Sequence, residues 1–299
     1  MAIFSIKNNL AKQLKKKNFQ NEKELQSFVE QNMENLFGIR FLASEFTTSK
    51  QHGGRIDSLG LDENNSPVII EYKWGEKDNI INQGLFYLDW LVDHTGDFQL
   101  LVQDKLGENI EVDFGSPRVL LIAQTFNKYD QYAINRMAEN IELWGYSQYE
   151  NDIFELKLIA SSQAKKINNS TKQISKVKYK EYSIEDHLKN KSDNVKGLFA
   201  TLQERIFAFE SEQKIEENLR KHCIVYRTNR NFVSLQPQNK LVKILIDVNK
   251  KELNDPNDMI RDVLSIGRFG TGISEINLKS FDELDYVVGL IEQSYLQSF

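Results

Sequence analysis

The chain has 299 residues, 40% hydrophobic and 27% charged, with a net charge of −5 and a single cysteine, Cys223. That length accommodates two ordinary domains, and the composition is that of a folded globular protein rather than a disordered one. One cysteine excludes an internal disulfide and a cysteine-held zinc, no apolar run reaches the roughly 18 residues of a membrane span, and the acidic balance excludes nucleic-acid binding by bulk charge.

The opening stretch, MAIFSIKNNLAKQLKKKNF, lacks the apolar core of a signal peptide, so the expectation is a cytoplasmic protein with no membrane partner. Its basic knot, Lys15, Lys16 and Lys17, and the lysine-rich stretch from Lys165 to Lys196 read first as solvated surface or linker. From Glu22 to Leu36, Leu25, Phe28, Val29, Met33 and Leu36 recur at three- and four-residue steps and predict an amphipathic helix with Glu30 near its inner edge. Arg55 to Leu61 and Val68 to Trp74 read as two strands, joined through turn formers at 62–67 into a β-hairpin. Asn79 to Val92 returns to helical period, with Gly96 as its stop; Phe98 to Val102 and Val119 to Ala123 read as strands, the second central. A helix from Tyr129 to Leu143 and a hairpin of Glu142–Tyr149 with Ile153–Ile159 close a first domain at residue 160. Residues 161–194 read as a lysine-rich linker. The second, smaller α+β domain, 195–299, has a helix from Lys196 to Lys221, strands at Cys223–Thr228, Phe232–Pro237, Leu241–Val248 and Glu275–Leu278, a glycine-rich stretch Gly267–Gly272 and a closing helix Phe281–Tyr295.

With the hairpin turn centred near Asn64, Asp57 falls opposite Glu71. The period-two geometry of a strand puts Lys73 on the same face as Glu71. Three ionisable groups inside an apolar hairpin call for a partner, because buried charge is costly unless it is paired or metal-bound. Mg²⁺ or Mn²⁺ meets that demand: such hard cations take oxygen ligands and commonly use one or two carboxylates with substrate phosphate. Asp57 and Glu71 are the expected ligands, the Tyr72 carbonyl a third oxygen, and Lys73 the group that orients an attacking water and stabilises charge on a phosphate. Arg55, two residues before Asp57, is placed either to contact phosphate or to pair with an acid.

The segment GGRIDSLGLDENNSPVIIEYKWGEKDNIINQGLFYLDWL resembles the PD-(D/E)XK nuclease superfamily, in the branch near archaeal-type NucS and the tRNA-endonuclease-like fold. The likeness covers roughly residues 22–160. It implies an α/β fold, a restriction-endonuclease-like mixed sheet flanked by helices, and metal-dependent hydrolysis of DNA phosphodiesters in repair or defence. It further implies that Glu30 assists the metal and that Gln83 and Tyr87, similar to a Q-x-x-x-Y element, contact the active site or the DNA backbone. A homodimer is the expected partner arrangement where both strands are cut. The usual proline before the first motif aspartate is absent, Ile56 standing there. The second domain resembles a domain of unknown function found in bacterial chains labelled predicted transport proteins. The alternative function is a non-catalytic nucleic-acid-binding or assembly protein that keeps the fold.

Overall fold

A computed structural model of the protein describes residues 2–48, 53–74, 80–162, 182–209, 215–263 and 272–298. The chain divides into two units, residues 1–35 with 39–178, and residues 36–38 with 179–299.

The first unit begins with a hairpin the sequence reading missed, β1 (Phe4–Lys7) and β2 (Leu10–Gln13). Its two linking residues, Asn8 and Asn9, both take left-handed backbone at φ 51° and 61°, which is the requirement of a two-residue type I′ turn. A two-residue strand β3 (Lys16–Lys17) follows, then helix α1 (Glu22–Phe37), as its period predicts, and strand β4 (Ile39–Thr47). The predicted hairpin forms as β5 (Arg55–Asp62) and β6 (Pro67–Lys73), with Ser58 paired to Ile70 and Leu59 to Ile69. Its turn is locked by Asp62, whose Oδ1 accepts from the backbone N–H groups of Asn64 and Ser66, each at 2.8 Å.

Helix α2 (Ile80–Asp93) lies on β6 and on the next strand, β7 (Arg118–Ala123). Gly84 allows this close approach, since a Cβ there would sit 2.7 Å from Val119 Cγ1. Between the two runs α3 (Thr95–Leu106), which contains Phe98 to Val102. The predicted strand is therefore a helical turn and a half, and Gly96 lies inside the helix rather than ending α2. Phe98 and Val102, four apart, are buried, whereas Leu100 is 66% exposed, so the short apolar run carried a helical period too brief to separate from a strand. The helix predicted over Tyr129–Leu143 is likewise shorter: α4 spans Lys128–Ile134, and Asn140 already opens β8 (Asn140–Tyr149), which pairs with β9 (Ile153–Ser161).

These strands make a mixed seven-stranded sheet in the order β3-β8-β7-β6-β5-β4, with β9 on β8. β6, β7 and β8 are parallel neighbours and their registers bring Lys73, Ala123 and Gly145 level. Every residue of β7 is buried, as its all-apolar sequence predicts for a central strand. At the start of these strands Arg118, 4% exposed, donates from Nε and Nη2 to the two carboxylate oxygens of Glu142 (2.9 and 3.2 Å) and lies 3.5 Å from Asp62 Oδ2.

In the second unit, α5 (Ile184–Leu188) and α6 (Asp193–Phe207) both begin within the stretch expected to be linker; residues 163–181, which hold most of its lysines, lie outside the described residues. The helix predicted to reach Lys221 ends at Phe207, and Glu216–Leu219 forms strand β10. It joins β11 (Ile224–Arg227), β12 (Asn231–Pro237), β13 (Val242–Ile246), β14 (Arg261–Asp262) and β15 (Ser274–Leu278) in an antiparallel sheet ordered β10-β11-β12-β13-β15-β14. Helices α6 and α7 (Leu284–Leu296) pack their apolar sides on this sheet in a core that includes Leu198, Leu202, Leu235, Ile244 and Ile291. Of the glycine-rich stretch only Gly272 is described. Among the described residues no helix is long and apolar enough to cross a membrane.

Candidate active site

The ladder between β5 and β6 runs from Leu61 to Ser58, and at the next position side chains take over from backbone. The backbone N–H of Asp57 donates to Glu71 Oε1 at 3.1 Å, and the N–H of Tyr72 donates to Asp57 Oδ2, also at 3.1 Å. Asp57 and Glu71 thus interlock across the strand ends, in the register that places them opposite one another. Glu71 is fully buried, and its second oxygen, Oε2, has no hydrogen-bond partner.

An orphaned carboxylate oxygen beside a second carboxylate is electrostatically unfavourable, and both groups respond. Burial, reinforced by the charge of Asp57, pushes Glu71 up to about 9. Asp57 is also raised, chiefly by burial, against the lowering effects of the Tyr72 N–H and the charge of Lys73. Donor chemistry of this kind fits a hard divalent cation, which would occupy the orphaned lone pairs and offset the paired negative charge. Two carboxylates suffice for such an ion when water and a backbone carbonyl complete the shell; among the described residues no group of three or more His, Cys, Asp or Glu is arranged to hold a metal.

Because Glu71 stays protonated in the folded, metal-free protein up to about 9 while its ordinary value is 4.5, folding takes up a proton between those two values. Stability that is present below the ordinary value is therefore lost as pH rises across that window. Thermal melts in chelator are expected to show Tm falling from pH 5 toward pH 9, and Glu71→Gln to flatten that slope and raise stability near pH 8 by about 1–3 kcal/mol. A wild-type slope identical to that of Glu71→Gln would refute the assignment of this titration to Glu71.

Lys73 closes β6 with its side chain 18% exposed and its Nζ 3.9 Å from Glu22 Oε1. Glu22, the first residue of α1, also accepts from the backbone N–H of Trp74 at 3.1 Å, and its charge contributes to the raised Asp57. It is thus the helix acid that faces the cluster, a residue the sequence reading passed over. Glu30, two turns further along α1, accepts instead from Ser58 Oγ (2.6 Å) and Gln26 Nε2 (2.8 Å), while Glu34 is exposed. Between the two acids, buried Gln26 donates to the Asp57 carbonyl at 2.7 Å and positions that residue. Glu22, Gln26 and Glu30 recur at four-residue steps, a polar stripe on one helix face that was legible in the sequence.

The remaining expected residues are placed as follows. Arg55 is exposed and pairs with Glu45 at 3.1 Å, which also takes Lys23 at 2.7 Å, so an acid and not an open rim faces its guanidinium. Tyr87 is buried and its hydroxyl accepts from the Arg55 backbone N–H at 3.2 Å, pinning the start of β5 two residues from Asp57. Gln83 is half-buried on α2. The Tyr72 side chain is buried with its hydroxyl 3.1 Å from Ser58 Oγ. Trp74, 42% exposed, anchors by its indole N–H to the Phe19 carbonyl at 2.7 Å.

Fold and site define a chain of two units, a smaller α+β one and an α/β one that bears an interlocked carboxylate pair and a lysine at the carboxyl ends of the parallel strands of a mixed sheet. In the second unit, residues 184–298 match the domain of unknown function DUF5655. Over 305 aligned residues the chain is 32% identical to an uncharacterized protein of Haemophilus influenzae, covering 98% of this chain and 99% of that one, and it belongs to the family of that protein. No nuclease family match supports the resemblance of the first unit, and no solved structure matches the chain.

Proposed function

We propose that the first unit is a metal-dependent nuclease of the PD-(D/E)XK type that hydrolyses DNA phosphodiesters in the cytoplasm, with Mg²⁺ or Mn²⁺ as its cofactor. The observation that carries this reading is the Asp57–Glu71 pair, with its orphaned Oε2, two residues from Lys73 on one strand. Asp57 and Glu71 would hold the cation, with the Tyr72 carbonyl as a further oxygen. When bound, the ion supplies Lewis-acid polarisation of a phosphate oxygen and eases deprotonation of water. Lys73 holds and orients the attacking water by hydrogen bonding and stabilises the charge that builds on the phosphate. Glu22 keeps the ammonium of Lys73 in place, and Gln26 and Tyr87 fix the backbone of β5 on either side of Asp57.

A second reading, a non-catalytic nucleic-acid-binding or assembly protein retaining this fold, is favoured by one observation: Lys73 already has an acidic partner in Glu22. The two readings separate in one experiment. Mn²⁺ is titrated calorimetrically into the wild type and into the double variant Asp57→Ala, Glu71→Ala, and both are then incubated with plasmid and single-stranded DNA. Metal binding and cutting by the wild type alone is the expected result. Absence of both from the wild type would overturn the nuclease reading.

A further inference from the structure

From Ala2 to Gln20 the chain carries five lysines, at 7, 12, 15, 16 and 17, and no acidic residue, within a protein whose net charge is −5. All five are exposed, and none forms an ion pair among the described residues. Lys7 and Lys12 lie on the β1–β2 hairpin, a two-stranded sheet of its own, Lys16 and Lys17 on β3 just after it, and Lys15 in the link between them. The hairpin is tied down at its base by buried Leu14, whose N–H donates to the Ile3 carbonyl at 2.8 Å, and by buried Phe19, packed on Phe28 and Tyr146 at 5.5 and 5.7 Å between ring centres.

The base lies at the rim of the candidate site. One edge of β8 is taken by β9 as far as Tyr149, and the other by β7 only as far as Gly145. β3, which pairs with Gln148 and Tyr149, therefore occupies the β7 side of β8 and continues in line beyond the carboxyl end of β7. Lys17, level with Gln148, stands three residues past Gly145, about 10 Å along the strand from the level of Lys73. The residues after it confirm the path: Asn18 Oδ1 accepts from Gln124 Nε2, just past β7, and the Phe19 carbonyl accepts from Trp74, just past β6. The stretch from Lys16 to Phe19 thus runs past the carboxyl ends of β7 and β6, the end of the parallel strands that holds Glu71 and Lys73 and the usual place for a ligand crevice in α/β sheets.

We propose that residues 4–17 form a duplex-gripping arm: the hairpin enters the major groove of B-form DNA and the lysines at its base hold the phosphates that lead into the site. A two-stranded ribbon fits a groove about 12 Å wide, whereas the deep, narrow major groove of A-form RNA does not admit it. Leu10, 75% exposed beside the turn, offers apolar contact to a thymine methyl, and Lys7 and Lys12, on the same face of the ribbon but on its two strands, reach the phosphates. A membrane surface, the other target of basic apolar segments, asks for one continuous apolar face; here Phe4 and Ile6 lie on one face of the ribbon and Leu10 on the other. The choice of nucleic acid as the polyanion rests on the nuclease reading above; the charge of the arm and its placement do not.

The test uses the full chain in chelator, a fluorescein-labelled B-form duplex of about 20 base pairs and anisotropy at several salt concentrations. The wild type is compared with a variant in which all five lysines become glutamine and with the double variant Lys7→Gln, Lys12→Gln, with thermal melts to show that the fold is kept. Affinity is expected to fall at least about tenfold in the fivefold variant, with the slope of log affinity against log salt reduced by about 3 to 4.5, and to fall by a smaller factor in the double variant. Equal affinity and slope in wild type and variants overturn the arm, as does a wild type that binds no duplex, or one that binds phosphatidylserine vesicles in its place. If the lysine variants lose duplex binding while the wild type cuts nothing in Mn²⁺, the arm stands and the nuclease reading falls; cutting with equal affinity by all three gives the reverse.

Discussion

Lys73→Met is expected to lower metal-dependent DNA cleavage by about 10² to 10⁴-fold while leaving Mn²⁺ binding and the thermal melt close to wild type. The cluster divides two jobs among its side chains. Glu71 accepts from the Asp57 N–H and Asp57 accepts from the Tyr72 N–H, so the two carboxylates carry both the proposed metal site and the end of the β5–β6 pairing. The charge of Lys73 favours ionisation of both carboxylates, but its ammonium makes only a long contact, to a half-exposed Glu22, so its loss breaks no close ion pair. A methionine keeps the packed stem and removes only the group that would orient water. Single-turnover cleavage of plasmid at saturating Mn²⁺ is the measurement. A variant that cuts at the wild-type rate would sink the assignment of Lys73, and a variant that no longer binds Mn²⁺ would show that the lysine instead supports the carboxylates.

The second large effect lies at the opposite end of the same strands. Arg118→Met is expected to destabilise the first unit by about 3–5 kcal/mol, because it takes a shared guanidinium from two buried carboxylates at once. Glu142 would lose its two-pronged partner, keeping the Trp144 indole N–H at 2.9 Å, and Asp62, which also locks the hairpin turn, would lose the guanidinium 3.5 Å from its Oδ2. In a unit of this size the shift in Tm is on the order of 10 °C. Chemical denaturation checks the magnitude. Replacing all three, Arg118→Met with Glu142→Gln and Asp62→Asn, should recover part of the loss, since no charge is then left unpaired. Arg118 is level with Val68, five residues and about 17 Å from Lys73, so cleavage well below the melting point should be unaffected. A melt unchanged by Arg118→Met would mean that water reaches this cluster.

How much of this was legible in the sequence follows from the range over which each signal acts. Periods of three and four residues located α1 and α2, and the turn formers at 62–67 fixed the register of β5 on β6, hence the opposition of Asp57 and Glu71. Those signals are local: a hairpin register depends on its own turn, and a helix face on its own repeat. The run Phe98–Val102 was misread because five residues hold little more than one helical turn, and its helical state is fixed by neighbours, Gln99 bonding across to Ile110 and Val112. The strand β4 was overlooked since its burial alternates irregularly about the left-handed Glu45, and β3 because two lysines form a strand only where β8 outruns β7.

The sequence by itself determined the two-unit α/β class, the hairpin, the carboxylate pair and its lysine, because each is written in a contiguous stretch. Only the tertiary structure decided which helix acid meets the pair. Glu22, Glu30 and Glu34 all lie on α1, and the way that helix packs, through buried residues such as Leu25 and Val29, brings Glu22 to Lys73, Glu30 to Ser58 and Glu34 to solvent. Likewise only the unequal lengths of β7 and β8 carried a basic stretch from the first residues to the rim of a site more than fifty residues away in the chain. Such choices belong to contacts distant in sequence, whose cost in chain entropy is met by the core as a whole and which no local pattern records.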